Sequence, residues 1–369
     1  MDTNMQNTPK ITKESKNKIR VEFDRTPLKE RLKAKFLNLY FFTQIAYKIF
    51  RLVLLIGISY VVLFPFISKI AGSFMSPEDF VDVTVRLIPK NFTLDIYKAV
   101  LFETDYWLAF RNTFIISFFG ALLQTFVCCL IGYGLAKFRF KGNGLVMMLV
   151  ILTMIVPHGT LQLSMFMGFR YFDILGILSF LSGGASVGFM PESFNEMLAG
   201  IQIIDLPDHG LALTNTYAPL LILSATGLAF KNGLYVFMLR QFFTGVPDAL
   251  EESAYIDGSG VFRTFFTIIL PLSIPMMVTV FLFAFCWQWT DDFYISLINT
   301  GTMDANKLLV DLVGEIPESL KNAAGAGQQL YETAIRNTCG LMIIAPLVVL
   351  YAFCQNFLVQ GIEQSGLAN

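Results

Sequence analysis

Pro247-Asp248-Ala249-Leu250-Glu251-Glu252-Ser253-Ala254-Tyr255-Ile256-Asp257-Gly258, followed nine residues later by Ile268-Ile269-Leu270-Pro271, lies between two long apolar runs and decides the fold. Pro247 suits the first helical position, where a missing N–H is no loss. Asp248, Glu251 and Glu252 fall near the positive end of the helix dipole. Gly258 suits a left-handed C-terminal cap. The pattern predicts a short capped helix, a sharp turn, and a second helix capped by Ser259 that runs through Phe262, Phe265 and Phe266 into the next apolar run.

Outward from this loop, charged residues mark where apolar runs stop. Arg51 and Lys69 bracket the first run, Arg111 and Lys137 the second, Lys141 and Arg170 the third. His209 and Arg240 bracket the fourth, interrupted by Lys231; Arg263 and Asp291 bracket the fifth, Arg336 and Glu363 the sixth. A membrane helix needs roughly 20 mostly apolar residues, so the reading is an all-α polytopic membrane protein with six transmembrane helices. Pro65, Pro157, Pro219, Pro271 and Pro346 lie inside these runs; neighbouring membrane helices re-satisfy the carbonyls that proline frees. Orientation follows the lysines and arginines. The N-terminal segment, the link Lys137-Phe138-Arg139-Phe140-Lys141 and the loop from Arg240 to Arg263 are basic, whereas the other three connections are acid-rich. Both termini and the 247–258 loop are therefore expected in the cytoplasm.

Composition agrees with the class. Hydrophobic residues make up 54% of the 369 and charged residues only 15%, against about 25% in soluble domains. A net charge of -1 argues against a chain dominated by nucleic-acid contacts. Cys128, Cys129, Cys286, Cys339 and Cys354 all sit in apolar runs without zinc-site spacing, which predicts buried free thiols. Residues 1–50 form a basic arm too polar and long for a cleavable signal peptide. Its stretch from Pro27 to Phe50 reads either as an amphipathic helix on the lipid surface or as a plain orienting flank. No Gly-x-x-x-x-Gly-Lys-Ser/Thr loop is present, so ATP needs another polypeptide.

The spacing Glu252-Ser253-Ala254, three residues, Gly258, nine residues, Ile268, one residue, Leu270-Pro271 resembles the Glu-Ala-Ala loop of binding-protein-dependent importers, with Ser253 for an alanine. Over most of residues 50–365 the chain resembles the maltose-permease type of sugar permease. Leu63-Phe64-Pro65-Phe66, Arg111-Asn112-Thr113, Gly132-Tyr133-Gly134-Leu135-Ala136-Lys137, Leu239-Arg240-Gln241-Phe242-Phe243 and Gly361-Ile362-Glu363-Gln364-Ser365-Gly366 carry the likeness. The resemblance implies the transmembrane domain of a type I ATP-binding-cassette (ABC) importer over 51–363, with 364–369 as a cytoplasmic tail in a bacterial plasma or inner membrane. Its partners would be a second, different permease chain, two ATPase copies that bind ATP and Mg, an extracellular or periplasmic binding protein, and a sugar or oligosaccharide. The chain would be no enzyme itself and would hold no cofactor or metal. The loop 247–266 would dock in a cleft of the ATPase through Glu251, Glu252, Ser253, Ala254, Asp257 and Gly258, with Ile268, Leu270 and Pro271 behind it, and Glu252 would meet an arginine there. A permease of the same machine for a peptide, amino acid or other solute shares this loop and stays open. A secondary transporter or membrane enzyme has no use for it. Residues 176–214 look like an insertion in an extracellular connection, able to touch the binding protein or to serve as padding.

Polar residues inside apolar runs are candidates for the pathway because they are costly there. Lys231 lies nine residues before Arg240, about 13 Å along a helix; with Asn232 it either faces the pathway or reaches toward an interface or a neighbouring acid. His158 beside Pro157 is either a satisfied interior histidine near a kink or a pathway residue. Trp287-Gln288-Trp289-Thr290-Asp291 resembles the family's Trp-Asn-Asp sequence. Gln288, Trp289 and Asp291 suit sugar rings, and tryptophans also anchor helix ends.

Overall fold

The computed structural model describes residues 39–173, 211–229, 231–298 and 307–364. They are helical, with two isolated antiparallel bridges, Met75 to Phe92 and Phe172 to Leu211. Residues up to Ser68 form one unit and those from Lys69 a second. The first unit contributes most of α1 (Leu39–Gly72), apolar on every side and containing Pro65. Of the basic arm only its end is described, so the stretch from 27 to 38 lies outside the described residues, as does most of the 176–214 insertion.

In the second unit α2 (Asp95–Glu103) leads into α3 (Tyr106–Lys137), the axis of the bundle. α3 buries a continuous stripe that includes Thr113, Ser117, Gly120, Ala121, Gln124 and Cys128. Small residues on that stripe let other helices come close, the usual way helices associate in a bilayer. At Gly132 an added Cβ would stand 2.9 Å from Leu239 Cβ and 3.0 Å from the Arg240 backbone nitrogen. The opposite face carries exposed Phe119, Leu122 and Leu130, consistent with a lipid-facing side.

The third run is bent, not straight. α4 (Asn143–Ile155) meets a 3-10 turn (His158–Leu161) and α5 (Gln162–Arg170) at 95°. Pro157 stands at the bend, where a residue without an N–H cannot continue the ladder. The fourth run is two short helices, α6 (Ala218–Thr226) and α7 (Asn232–Gly245). Between them Gly227 (φ 75°) and Lys231 (φ 67°) are both left-handed. The fourth run, expected as one spanning helix interrupted in its apolar character by Lys231, is therefore two helices. Pro219 occupies the first turn of α6, where proline is tolerated.

Helix α8 (Ala249–Ile256) is the short loop helix, and α9 (Val261–Thr264) opens the fifth span. Residues Phe265–Ile269 then widen into a π turn before α10 (Leu270–Trp289). Pro271 explains the widening: it cannot donate to the carbonyl four residues back, and its ring crowds that carbonyl. The described residues end in α12 (Gln328–Gln364), after a short α11 (Phe293–Ile298). Helices α1, α3, α12 and the α9–α10 segment are each long and apolar enough to cross a membrane, and the bent α4–α5 pair passes together. Helices α6, α7 and α10 pack on α3, and α12 packs on α10. All five cysteines are free thiols; Cys128, Cys129 and Cys339 are buried.

The polar ends of α3 are tied to remote segments. Asn112 Nδ2 donates to the Lys307 carbonyl at 3.1 Å, and the Leu309 N–H donates to Thr113 Oγ1 at 2.9 Å. Lys307 in turn pairs with Glu315 at 2.6 Å and Asp105 at 3.6 Å. The ends of the 176–214 insertion are joined by two backbone hydrogen bonds of 3.0 Å between Phe172 and Leu211.

Candidate functional site

The loop helix α8 has the termini the sequence asks for, with two shifts. Pro247 stands just ahead of the helix, its carbonyl accepting from the Leu250 N–H at 3.3 Å. The helix after the turn is opened by Gly260 and not by the Ser259 side chain. The C-terminus is a Schellman cap: Ser259 N–H donates to Ala254 O at 2.9 Å and Gly258 N–H to Tyr255 O at 3.0 Å, with Gly258 at φ 81°.

The two adjacent glutamates point to different worlds. Glu251 and Ala254 are buried, whereas Glu252, Ser253, Asp257 and Gly258 are exposed. Ile256 and Phe262 are 86% and 81% exposed, so α8 and the start of α9 present an apolar surface edged by Glu252 and Asp257. The inner face is held by Lys137, the last residue of α3, whose side chain is only 6% exposed. Its ammonium donates to the Val246 carbonyl at 2.6 Å and to Asp248 Oδ1 at 2.6 Å, and lies 3.9 Å from Glu251 Oε1. The Lys137 hydrogen bond and charge, helped by Arg139, hold the Asp248 carboxyl below its ordinary value. Burial pushes the Glu251 carboxyl up, with Lys137 opposing and Asp248 adding to the rise. Ile268 and Leu270 are half-buried in the π turn and its exit, beside fully buried Ile269, and Pro271 is exposed. They shape the start of the fifth span behind α8.

The second grouping lies where the two interrupted runs meet. A cavity of about 360 Å³ is lined by Thr153 and His158 at the α4 bend and by Gly227, Ala229, Lys231 and Gly233 at the α6–α7 break, among others. The α7 start is pressed against α4: a Cβ on Gly233 would lie 2.5 Å from Thr153 Oγ1 and 2.9 Å from the Val150 carbonyl. The Lys231 ammonium sits 4.8 Å from the ring centre of Trp287 on α10, within cation–π range. His158 meets the ring of Tyr294 edge-on at 6.3 Å. Asn232 is buried, and neither of its amide atoms has a hydrogen-bond partner among the described residues. Gln288 and Asp291 line a much smaller neighbouring cavity with Gln124, Ser224 and Tyr294. Gln288 packs on Gly120, where a Cβ would come within 2.3 Å of Gln288 Oε1. Trp289 lines neither cavity; it is buried and donates from Nε1 to the Ile343 carbonyl at 2.9 Å, tying α10 to α12. Among the described residues no group of three or more His, Cys, Asp or Glu side chains is placed to hold a metal ion.

Sequence reading missed Gln124, Ser224 and the anchoring role of Lys137, and took Trp287 only as part of the Trp287–Asp291 motif. Gln124 was detectable as an amide in mid-run. Lys137 was not, because a basic residue at a helix end has a sufficient explanation in orientation.

Comparison with known proteins concerns the family and the fold. Residues 129–364 match the family model described as binding-protein-dependent transport system inner membrane component. The alpha-glucoside transport system permease protein AglG of Rhizobium meliloti (strain 1021) is 26% identical over 74% of this chain and 60% of its own length. The polygalacturonan/rhamnogalacturonan transport system permease protein YtcP of Bacillus subtilis (strain 168) is 26% identical over 80% of this chain and 89% of its own. Among solved structures, a bacterial ABC transporter involved in import of the acidic polysaccharide alginate superposes with TM-score 0.60 at 18% identity, covering 85% of this chain and 97% of that one. That likeness concerns the fold.

Proposed function

The chain belongs to the family of inner membrane components of binding-protein-dependent transport systems, and from that premise we propose that it carries half of a sugar or oligosaccharide pathway and takes its drive from a separate ATPase through α8. As a member it is a multi-pass permease component and not the catalytic subunit. The observation that carries the coupling role is the division of α8 into two faces. Lys137 fastens the inner face to the end of α3. The outer face offers Glu252 and Ile256 to a partner, beside Phe262 at the start of α9. A helix clamped on one side and apolar on the other passes a push from a partner into the bundle.

The sugar class is supported by the printed names of the relatives, an alpha-glucoside and a polygalacturonan/rhamnogalacturonan permease. On this reading the complex holds a second, different permease chain, two ATPase copies with ATP and Mg, and an external binding protein. The chain crosses the membrane six times with both termini cytoplasmic, and α6 plus α7 serve as the fourth crossing. ATP closing the ATPase pair draws the coupling helices together and turns the bundle outward, and hydrolysis resets it. ATP therefore supplies the differential contacts that a two-state change requires. The test is reconstitution of the importer in vesicles with its ATPase and binding protein. Sugar uptake that needs ATP and is lost in Glu252→Lys, with the variant still inserted, is the expected result. Uptake independent of ATP, or unchanged in Glu252→Lys, overturns the reading.

A further inference from the structure

We infer that Tyr133 is a positioning residue for coupling: its buried hydroxyl donates to the Glu251 carboxylate when the ATPase presses the loop helix onto the bundle, and so stops α8 against α3. This inference rests on the coupling reading of α8 and names a residue through which the push passes.

Lys137 fixes only the start of the loop helix. Its two 2.6 Å hydrogen bonds go to the Val246 carbonyl and to Asp248, both ahead of the first residue of α8, whereas Glu251 stays 3.9 Å away. A helix pinned at one end can still swing about the pin, so a contact farther along has to set its angle. Asp248, Glu251 and Tyr255 follow one another at helical spacing along one side of α8. Tyr133 lies four residues before Lys137 on α3, one turn back on the same face. Glu251 and Tyr255 are the electrostatic neighbours of its hydroxyl. Tyr133 is 4% exposed and Glu251 8%. Among the described residues the Tyr133 hydroxyl has no well-formed hydrogen bond and Glu251 Oε1 accepts none. A buried phenol and a buried carboxylate oxygen thus lie near each other unbonded, which is costly for both. Phenol donor to carboxylate acceptor is a strong, charge-assisted pairing. A small inward tilt of α8, with rotation of the Glu251 side chain, closes it. The ring that carries the hydroxyl is itself held. It packs edge-on at 5.5 Å against Phe243 at the end of α7 and at 4.8 Å against Phe265 at the start of the π turn, and both phenylalanines are buried. A stop on this ring bears on α3, α7 and the fifth span together. Tyr255 is 39% exposed, so water can satisfy its hydroxyl.

The experiment uses the complete reconstituted importer, with the native cysteines of this chain replaced and spin labels placed at Ser259→Cys, just past α8, and Lys141→Cys, in the link after α3. The distance between the labels is measured before and after ATP is added. With no other change, ATP should shift the distance toward a shorter, seated value. Tyr133→Phe keeps the ring and should lower the ratio of seated to unseated protein about tenfold, the effect of one hydrogen bond to a charged group. Glu251→Leu should lower it as well, and adding Tyr133→Phe to that variant should change it by less than about twofold, since both remove the same pair. Tyr255→Phe should behave as the unchanged protein. The inference is overturned by a distance that ignores ATP, by an unaltered ratio in Tyr133→Phe, by losses that multiply in the double variant, or by an equal loss in Tyr255→Phe. It is also overturned if Tyr133→Phe no longer copurifies with the ATPase, because the hydroxyl is then structural. If Glu251→Leu alone fails to assemble, Tyr133→Phe and Tyr255→Phe decide. An ATP-driven shift that survives unchanged in Glu252→Lys overturns the coupling reading itself.

Discussion

Replacing Lys137 by methionine keeps the stem of the side chain and removes the charge that joins α3 to the loop helix. The bond from Lys137 to the Val246 carbonyl is 2.6 Å and both partners are buried, so its loss costs about 1.5–3 kcal/mol, the range for a hydrogen bond to a charged group. Asp248 is exposed and adds nothing to this sum. Glu251 is buried with its cation 3.9 Å away. Stranding a buried charge is expensive, but burial already pushes this carboxyl up, so protonation softens the loss. The loop helix should therefore lose about 1.5–3 kcal/mol of attachment to the bundle, a factor of about 10 to 150 in the docked fraction. In the reconstituted importer the outer face of α8 is untouched, so the ATPase should still copurify and hydrolyse ATP. Solute carried per ATP should fall at least about tenfold, and Lys137→Arg should recover much of it. The variant also has a signed pH response. A buried acid with a raised value costs stability as pH climbs through its unfolded value near 4.5, the cost being complete above the raised one. Without Lys137 that value rises further, so acidification should partly restore coupling in the variant and do less in wild type. Coupling unchanged in Lys137→Met, measured as solute per ATP at neutral pH, refutes the transmission argument.

Glu252→Lys should release the ATPase on copurification, whereas Glu251→Gln should retain it, because only Glu252 faces outward; equal release in both would contradict the two-face assignment. Gly258→Asp forces a side chain into the φ 81° cap, costing about 1–2 kcal/mol, and should abolish ATP-coupled transport while insertion is normal by membrane fractionation. Gly132→Val places carbon within about 3 Å of the Arg240 backbone and should lower the melting temperature of the purified protein, with no such drop for Gly134→Ala, whose nearest neighbour is 4.0 Å away. Single cysteines at Asn143 and Ser186, in a background lacking native cysteines, should label from inside and outside respectively with an impermeant reagent; the reverse pattern inverts the topology.

The helical class and the loop were readable because each rests on local chemistry. Apolar length sets a span, and Pro247, the acids and Gly258 fix a short helix within a dozen residues. The interruptions were less readable. Pro157 signalled its bend, but nothing in Ala229 to Asn232 demands a left-handed lysine, and Gly227 alone is tolerable inside a helix. The break depends on α7 fitting against α4 at Gly233 and against α3 at Gly132, which are long-range contacts. The same limit explains Glu251 and Glu252. Sequence places both in the motif, and only the position of Lys137, more than 100 residues earlier, shows which one faces the bundle.

One helix connects the two groupings. Helix α7 begins at the Lys231 turn and ends at Gly245, directly before the loop helix. Its 14 residues span about 21 Å. Lys137 holds its far end to α3 through Val246, and Gly132 admits its middle against α3. A push on α8 therefore meets a stiff segment moving with α3, and the nearest backbone that can yield lies between Gly227 and Lys231, where no helical ladder continues. That places the break at the wall of the cavity between α4 and α7. ATP-driven movement of the loop helix would then alter the cavity without unwinding α7.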